Sequence, residues 1–153
     1  MAFYSFDTSS ILNGRRDLFP PKTFVSVWAC IEDLILSGSI RSVDEVKREL
    51  DRKSDDASKW AATQTNLFVP LDLPIQRAAK EILKVHPRMT GVGGKRNGAD
   101  PFVIALAQIA TGTVVTEETP KNLTSPHIPD VCEAIGVRCI RLTTFLEEQG
   151  RTF

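Results

Sequence analysis

Acidic residues stand at the ends of several apolar runs in this sequence, where a carboxylate could do chemistry. Asp7 follows an aromatic run, and Asp100 precedes an apolar one. Glu49 lies within an amphipathic run, and Glu117 and Glu118 follow a run of valines and threonines. A carboxylate at the mouth of a buried segment must be solvated, paired or metal-bound, because an isolated buried charge costs several kcal/mol. Several such carboxylates that converge would form a magnesium site.

Apolar periodicity predicts the elements that must position these acids. The predicted strands are residues 3–6, 67–69, 113–116 and 137–142. The predicted helices are residues 24–35, 42–53, 57–64, 74–86, 102–110, 129–136 and 143–148. Strands separated by amphipathic helices indicate an α/β fold with a mostly parallel sheet and helices on both faces. Ligands of such sheets bind beyond the carboxyl ends of the strands, where Asp7, Asp100 and the Glu117–Glu118 pair are expected to meet.

Local chain signals mark several helix starts and one loop. Ser42 and Glu45 match a capping box that would open the helix ending at Lys53. Thr143 is expected to cap the last helix. Residues 88–98 hold four glycines and no apolar period, which predicts a mobile loop.

Each acid also has a structural explanation. Asp7 could bond its own backbone in a turn, although the hydroxyls of the following threonine and serines could orient a carboxylate or a metal-bound water. Asp100 before a proline suits a helix start, where it could act as the cap. Glu49 has no cap to make, unlike Glu45, and is therefore preferred as a ligand, but it could equally pair with Arg52 or Lys53 on the surface.

The acids near the end of the chain leave two choices open. Neighbouring residues of a strand point to opposite faces, so only one of Glu117 and Glu118 should face the pocket. Asp130 is a further candidate ligand, although an acid in the first turn of a short helix is commonplace.

Composition limits the class of protein. The 153 residues predict a single domain over 1–153, and 42% apolar with 25% charged residues is typical of a globular chain. The 19 basic and 19 acidic residues cancel, so RNA would be held by a local patch. Cys30, Cys132 and Cys139 lie in apolar stretches and are predicted to be reduced. The absence of a membrane span or signal peptide from the sequence predicts a cytoplasmic protein without membrane contact.

Four motifs, in this order and spacing, resemble those of the PIN domain over nearly the whole chain. They are FDTS at 6–9, VKREL at 46–50, ADPFVIALA at 99–107 and VVTEE at 114–118. More narrowly, KWA at 59–61, ADPF at 99–102, VTEE at 115–118 and IPDVC at 128–132 resemble a PIN-like bacterial group related to VapC toxins. The resemblance implies a three-layer α/β/α fold with a central, mostly parallel sheet.

The resemblance also implies an activity and its residues. It implies an endoribonuclease that depends on Mg²⁺ or Mn²⁺. Such proteins are often the toxin of a toxin–antitoxin pair, and often homodimers. The antitoxin could be a helix-turn-helix protein. The catalytic and metal-binding acids would be Asp7, Glu49, Asp100 and Glu118. PIN domains usually carry Asp at the last position, so Glu117 or Asp130 could replace Glu118 as a ligand. Ser9 and Thr116 match hydroxyl positions that support the acidic cluster.

Two further expectations accompany this hypothesis. Four basic residues could hold the RNA backbone near the acids, or could be solvated loop charges: Arg15, Arg16, Lys95 and Arg96. The alternative function is a catalytically silent PIN-like protein-interaction module, which the Glu at the fourth acidic position slightly favours.

Overall fold

A computed structural model describes residues 2–90 and 98–153. Within these ranges, five parallel strands form one sheet in the order β3-β2-β1-β4-β5, with eight α-helices on its two faces. The strands are β1 (Tyr4–Phe6), β2 (Ile40–Val43), β3 (Phe68–Val69), β4 (Thr113–Val115) and β5 (Arg138–Ile140). The helices are α1 (Thr8–Asn13), α2 (Val25–Ser37), α3 (Asp44–Lys53), α4 (Asp55–Thr63), α5 (Leu73–Val85), α6 (Asp100–Ile109), α7 (Ile128–Ile135) and α8 (Leu142–Glu148). The predicted three-layer α/β/α fold is confirmed, and the architecture is consistent with a PIN-like fold.

The strand order reverses at β1, the central strand. Tyr4 pairs with Ile40 of β2 on one side and with Thr113 of β4 on the other. Chain order runs outward from β1 to β3 on the first side and from β4 to β5 on the second. In open parallel sheets such a reversal leaves a crevice at the carboxyl ends of the two central strands, where ligands bind. Asp7 and Thr116 directly follow these two strands.

Helix α6 packs against the middle of the sheet and is almost fully buried. Its residues Val103 to Ala107 are in the core, and the Ser5 hydroxyl of β1 donates a 2.8 Å hydrogen bond to the Val103 carbonyl. On the other face, the Phe145 ring of α8 meets Tyr4 and Phe6 edge-to-face, at 4.8 and 5.1 Å between centroids. Aromatic pairs of this geometry add to the stability gained from burial alone.

Two elements depart from the sequence-based expectation. Residues 40–43 form β2, and the predicted capping box is wrong, because Ser42 lies in this strand and its hydroxyl donates to the Phe6 carbonyl at 2.6 Å. Helix α3 instead begins at Asp44 after Val43, whose side chain makes no capping bond. The chain after β1 does not simply turn, because α1 begins at Thr8 and continues as a π-helix over Gly14–Leu18.

Three smaller predictions also need correction. Asp100 is the first residue of α6 and not its cap, since Ala99 holds the cap position. Thr143 lies inside α8, which begins at Leu142. Residues 88–90 belong to a 3₁₀-helix, Pro87–Thr90, and not to a loop. The rest of the predicted loop, residues 91–97, lies outside the described residues.

The other predicted helices and strands agree with the structure to within a few residues. Cys30, Cys132 and Cys139 are free thiols, as predicted, and the first two are buried. In the part of the chain that the structure describes, no helix has the length and apolar character needed to cross a membrane.

The entry into β4 permits a direct test of this packing. A Cβ atom at Gly112 would lie 2.6 Å from the Phe3 carbonyl oxygen. That oxygen accepts a hydrogen bond from the Thr113 N–H, which connects the start of β4 to the residue before β1. We therefore expect Gly112→Ala to lower the free energy of unfolding by about 2 kcal/mol in urea titrations. Gly98→Ala is the control, because a Cβ there meets no atom within 4 Å. Equal stability of the two variants would contradict the described contact.

Candidate functional site

The Asp7 carboxylate lies at the carboxyl end of β1 and is only 2% exposed. Its Oδ1 accepts the Ser10 backbone N–H at 2.8 Å and so caps α1. Its Oδ2 accepts the hydroxyls of Ser9 at 2.8 Å and Thr116 at 2.6 Å. Asp7 therefore explains why a helix starts here in spite of a Thr-Ser-Ser sequence that favours caps over helix interiors.

The same hydroxyls connect the Asp7 site to the segment after β4. Ser9 Oγ accepts the Glu117 backbone N–H at 2.9 Å, and Thr116 Oγ1 accepts that of Glu118 at 3.0 Å. Ser9 and Thr116 thus each contact the carboxylate and a backbone amide. This arrangement fixes the orientation of the Asp7 carboxylate on two sides.

Glu49 extends the site from a third element, α3. Its side chain is 2% exposed, and the Thr8 hydroxyl donates to Oε1. Its Oε2 is buried and has no hydrogen-bond partner among the described residues. A buried polar atom without a partner costs free energy, so it indicates a missing water, proton or cation. Thr8 lies next to Asp7 in the chain and therefore connects the two buried carboxylates.

Asp100 reaches the same edge of the sheet from the amino end of α6. Helix α6 leads directly into β4 and so runs opposite to the strands. The Ser5–Val103 hydrogen bond gives a common reference point for the two acids. From it, Asp100 lies three helical residues, about 4.5 Å, towards the carboxyl edge of the sheet. Asp7 lies two strand residues, about 6.6 Å, in the same direction. Asp100 is buried, with 6% exposure.

Two of the acids considered as ligands have extensive structural bonds. Glu117 accepts from the Arg141 guanidinium at 2.9 Å and from the Leu142 N–H at 2.8 Å, so it holds the start of α8. Asp130 accepts the backbone N–H groups of Lys121 and His127 and so orders the start of α7. Glu117 and Asp130 therefore have structural roles, and Glu118 stays the predicted fourth acid.

The basic residues proposed for RNA binding divide into three cases. The Arg15 side chain is only 9% exposed, pairs with Asp56 at 2.7 Å, and lies over the rings of Trp28 and Trp60 at 4.7 and 5.1 Å. Those contacts give Arg15 a structural role. Arg16 is 62% exposed and pairs with Asp17 at 3.0 Å. Lys95 and Arg96 lie outside the described residues.

Comparison with known proteins places the chain in a family. The family described as "Domain of unknown function (DUF4411)" matches residues 4–153. The chain belongs to the DUF4411 family. A shorter similarity joins this DUF4411 protein to UDP-N-acetylglucosamine 1-carboxyvinyltransferase 2 of Symbiobacterium thermophilum, at 34% identity over 77 residues. That segment covers 48% of this chain and 18% of the transferase, so the match spans less than a fifth of that relative.

Burial sets the electrostatics of the DUF4411 site. Loss of hydration raises the pKa of the Asp7 carboxyl above its ordinary value, although hydrogen bonds from Thr116, Ser10 and Ser9 oppose the shift. The pKa of the nearby Cys132 thiol is raised by Cys139 and by burial, and further by the carboxylates of Asp7 and Glu118. Asp7 and Glu118 therefore both lie close enough to Cys132 for their charges to act on it.

The candidate ligands suit a hard cation, but in the described part of the chain they do not lie close enough together to bind one. The candidate ligands are carboxylates, which Mg²⁺ and Mn²⁺ prefer. Within residues 2–90 and 98–153, no group of three acidic, histidine or cysteine side chains is close enough to hold a metal. The Glu49 oxygen without a partner nevertheless fits a cation, which would bring Asp7, Glu49 and Asp100 together.

Arg141 is a site residue that sequence reasoning missed. It directly follows β5 at the carboxyl edge and pairs with Glu117. The sequence predicts a strand over 137–142 that includes Arg141, whereas the structure ends β5 at Ile140 and so leaves Arg141 at the edge of the sheet where ligands bind.

The raised pKa of Asp7 predicts how stability changes with pH. The folded state binds a proton more readily than the unfolded chain, whose carboxyl titrates at its ordinary value of 3.8. This carboxyl's contribution to stability is thus greatest below that value and falls as pH rises to the native pKa. In EDTA, we expect Asp7→Asn to gain stability relative to wild type as the pH rises above 3.8 towards the native pKa of Asp7, measured by urea titrations.

Asp51→Asn is the control for that measurement. Bonds from Ser58 and Lys47 lower the pKa of the exposed Asp51 carboxyl, so its titration falls below this pH range. The control should therefore follow wild type. A constant difference between Asp7→Asn and wild type across the range would show that Asp7 has no raised pKa.

Proposed function

We propose that this DUF4411 protein is a metal-dependent endoribonuclease of PIN type that hydrolyses RNA phosphodiester bonds. The observation that carries the proposal is the pair of buried carboxylates, Asp7 and Glu49, joined through Thr8 at the reversal of the strand order. Acids with only a structural role are rarely buried in pairs without basic partners, because each carboxylate loses its hydration. A catalytic cation would compensate both charges.

The residues have distinct roles in this proposal. Asp7, Glu49, Asp100 and Glu118 would hold Mg²⁺ or Mn²⁺, while Ser9 and Thr116 keep the Asp7 oxygens in place. When bound, the metal supplies an activated water and stabilises the charge that develops on the phosphate. No protein nucleophile is then required. Arg16, together with Lys95 and Arg96, would hold phosphates of the RNA backbone without reading its sequence.

The biological setting follows from the PIN resemblance. We propose that the protein is the toxin of a toxin–antitoxin pair in the cytoplasm, neutralised by an antitoxin that could be of helix-turn-helix type, and that it forms a homodimer.

A second candidate function is the catalytically silent interaction module. The observation that favours it is the satisfied state of Asp7, whose two oxygens already accept three hydrogen bonds from the protein. A carboxylate has about four acceptor positions, so little capacity is left for a ligand. In this case the acids would only hold α1, α3 and the segment after β4 together.

Cleavage of RNA by purified variants tests the first proposal. With Mg²⁺ or Mn²⁺, we expect Asp7→Asn and Asp100→Asn to reduce the rate more than about 100-fold, because each removes a proposed metal ligand. Asp33→Asn is the control, since Asp33 is 66% exposed and makes only a long ion pair, 3.8 Å, with Arg151. Circular dichroism verifies that the variants remain folded.

Two results would contradict the nuclease. Full activity in either site variant would show that the acids do not act in cleavage. A folded wild-type protein that cleaves no RNA with either metal, tested on total cellular RNA, would favour the silent module.

A further inference from the structure

A cavity of about 290 Å³ adjoins the acidic site at the carboxyl ends of β4 and β5. Its lining includes Thr116, Pro120, Pro129, Ile140, Arg141 and Thr144. Thr116 is shared between the cavity and the site, because its hydroxyl also donates to Asp7 Oδ2 at 2.6 Å. A group in this cavity would therefore lie one side chain away from the central carboxylate. The volume is small for a drug-sized ligand and suits a single ring system.

The chemistry of the lining is that of a base pocket. Pro120, Pro129 and Ile140 present apolar surfaces on which a flat ring can pack. Single-stranded RNA is recognised by splaying out a base, packing its face and bonding its edge. Thr144 adds a hydroxyl that can donate or accept. A phosphate would gain nothing from the apolar surfaces.

Arg141 and Glu118 are the charged residues that line this cavity, and Arg141 is the one whose N–H donors can read the edge of such a base. Its side chain is 51% exposed, and one N–H donates to Glu117 at 2.9 Å. Glu117 is itself held by the Leu142 N–H, so the guanidinium has a fixed anchor. The guanidinium carries five N–H donors, so others are available to a ligand. A guanidinium bonds two acceptors side by side, and guanine offers such a pair in O6 and N7.

We propose that this cavity binds an unpaired guanine next to the phosphate that is cleaved, with Arg141 donating to its O6 and N7. The proposal rests on the proposed ribonuclease function. It gives that function a base preference, whereas the phosphate contacts at Arg16 read no sequence. Cleavage would accordingly occur beside guanine in single-stranded RNA.

Binding and cleavage together test the proposal. The probes are four fluorescent heptamers, UUUNUUU, in which N is G, A, C or U. Anisotropy in excess EDTA measures binding while metal-dependent cleavage is prevented, and parallel reactions with Mg²⁺ measure cleavage. We expect the G heptamer to bind about tenfold more tightly than the others and to be cleaved beside the guanine.

Three arginine variants separate base reading from general charge. Arg141→Gln and Arg141→Lys should both lose the preference for G, because a lysine keeps the charge but cannot bond two acceptors in a fixed plane. Arg138→Gln is the matched control. Arg138 is 53% exposed and pairs with Glu148 of α8, but it is the first residue of β5, whereas Arg141 follows the other end of that strand. It should keep the preference.

The outcomes distinguish this proposal from the ribonuclease function. Cleavage of all four heptamers without a preference would overturn the guanine pocket and leave the nuclease intact. Selective binding of G without cleavage would support the pocket and contradict the nuclease. An equal loss of all four affinities in Arg141→Gln, with recovery in Arg141→Lys, would show a phosphate contact and overturn the pocket. Failure to bind or cleave any heptamer would contradict both.

Discussion

The cost of keeping the Asp7 carboxylate out of water is the constraint on which the rest of this site depends. Its oxygens accept bonds from α1 and from the residue that follows β4, and burial still raises its pKa. Hydrogen bonds compensate only part of the lost hydration. Glu49 is buried in contact with Thr8, and one of its oxygens has no partner in the part of the chain that the structure describes, so it adds to the same imbalance. A divalent cation at this edge would relieve both charges at once.

The fold places these acids at one edge of the sheet through its connectivity. Parallel strands place all their carboxyl ends at one edge, and the reversal of order at β1 opens that edge between β1 and β4. Asp7 and Thr116 follow these two strands, α3 supplies Glu49, and α6, running back against the sheet, supplies Asp100. The hydroxyls of Thr8, Ser9 and Thr116 then join elements that are distant in the sequence.

Sequence reasoning succeeded where the signal was local. The helical period of α2 and α5, and the position of acids after predicted strands, needed no tertiary information. Strand β2 was missed because it is short and half of its residues are polar. These residues form a strand because they pair with β1, and the Ser42 hydroxyl adds a hydrogen bond to the Phe6 carbonyl. The choice between Glu117 and Glu118 was also non-local. It depends on Arg141 and Leu142, which lie 24 and 25 residues further along the chain.

The central claim is that Asp7 and Glu49 share a divalent cation, and anomalous scattering from crystals soaked in Mn²⁺ tests it most directly. The account predicts an anomalous peak bonded to one oxygen of Asp7 and to Glu49 Oε2, which has no partner among residues 2–90 and 98–153. Asp100 and Glu118 would complete the coordination directly or through water. A map with no peak at this edge, in which Asp7 and Glu49 bond only to protein hydroxyls and amides, would contradict the account.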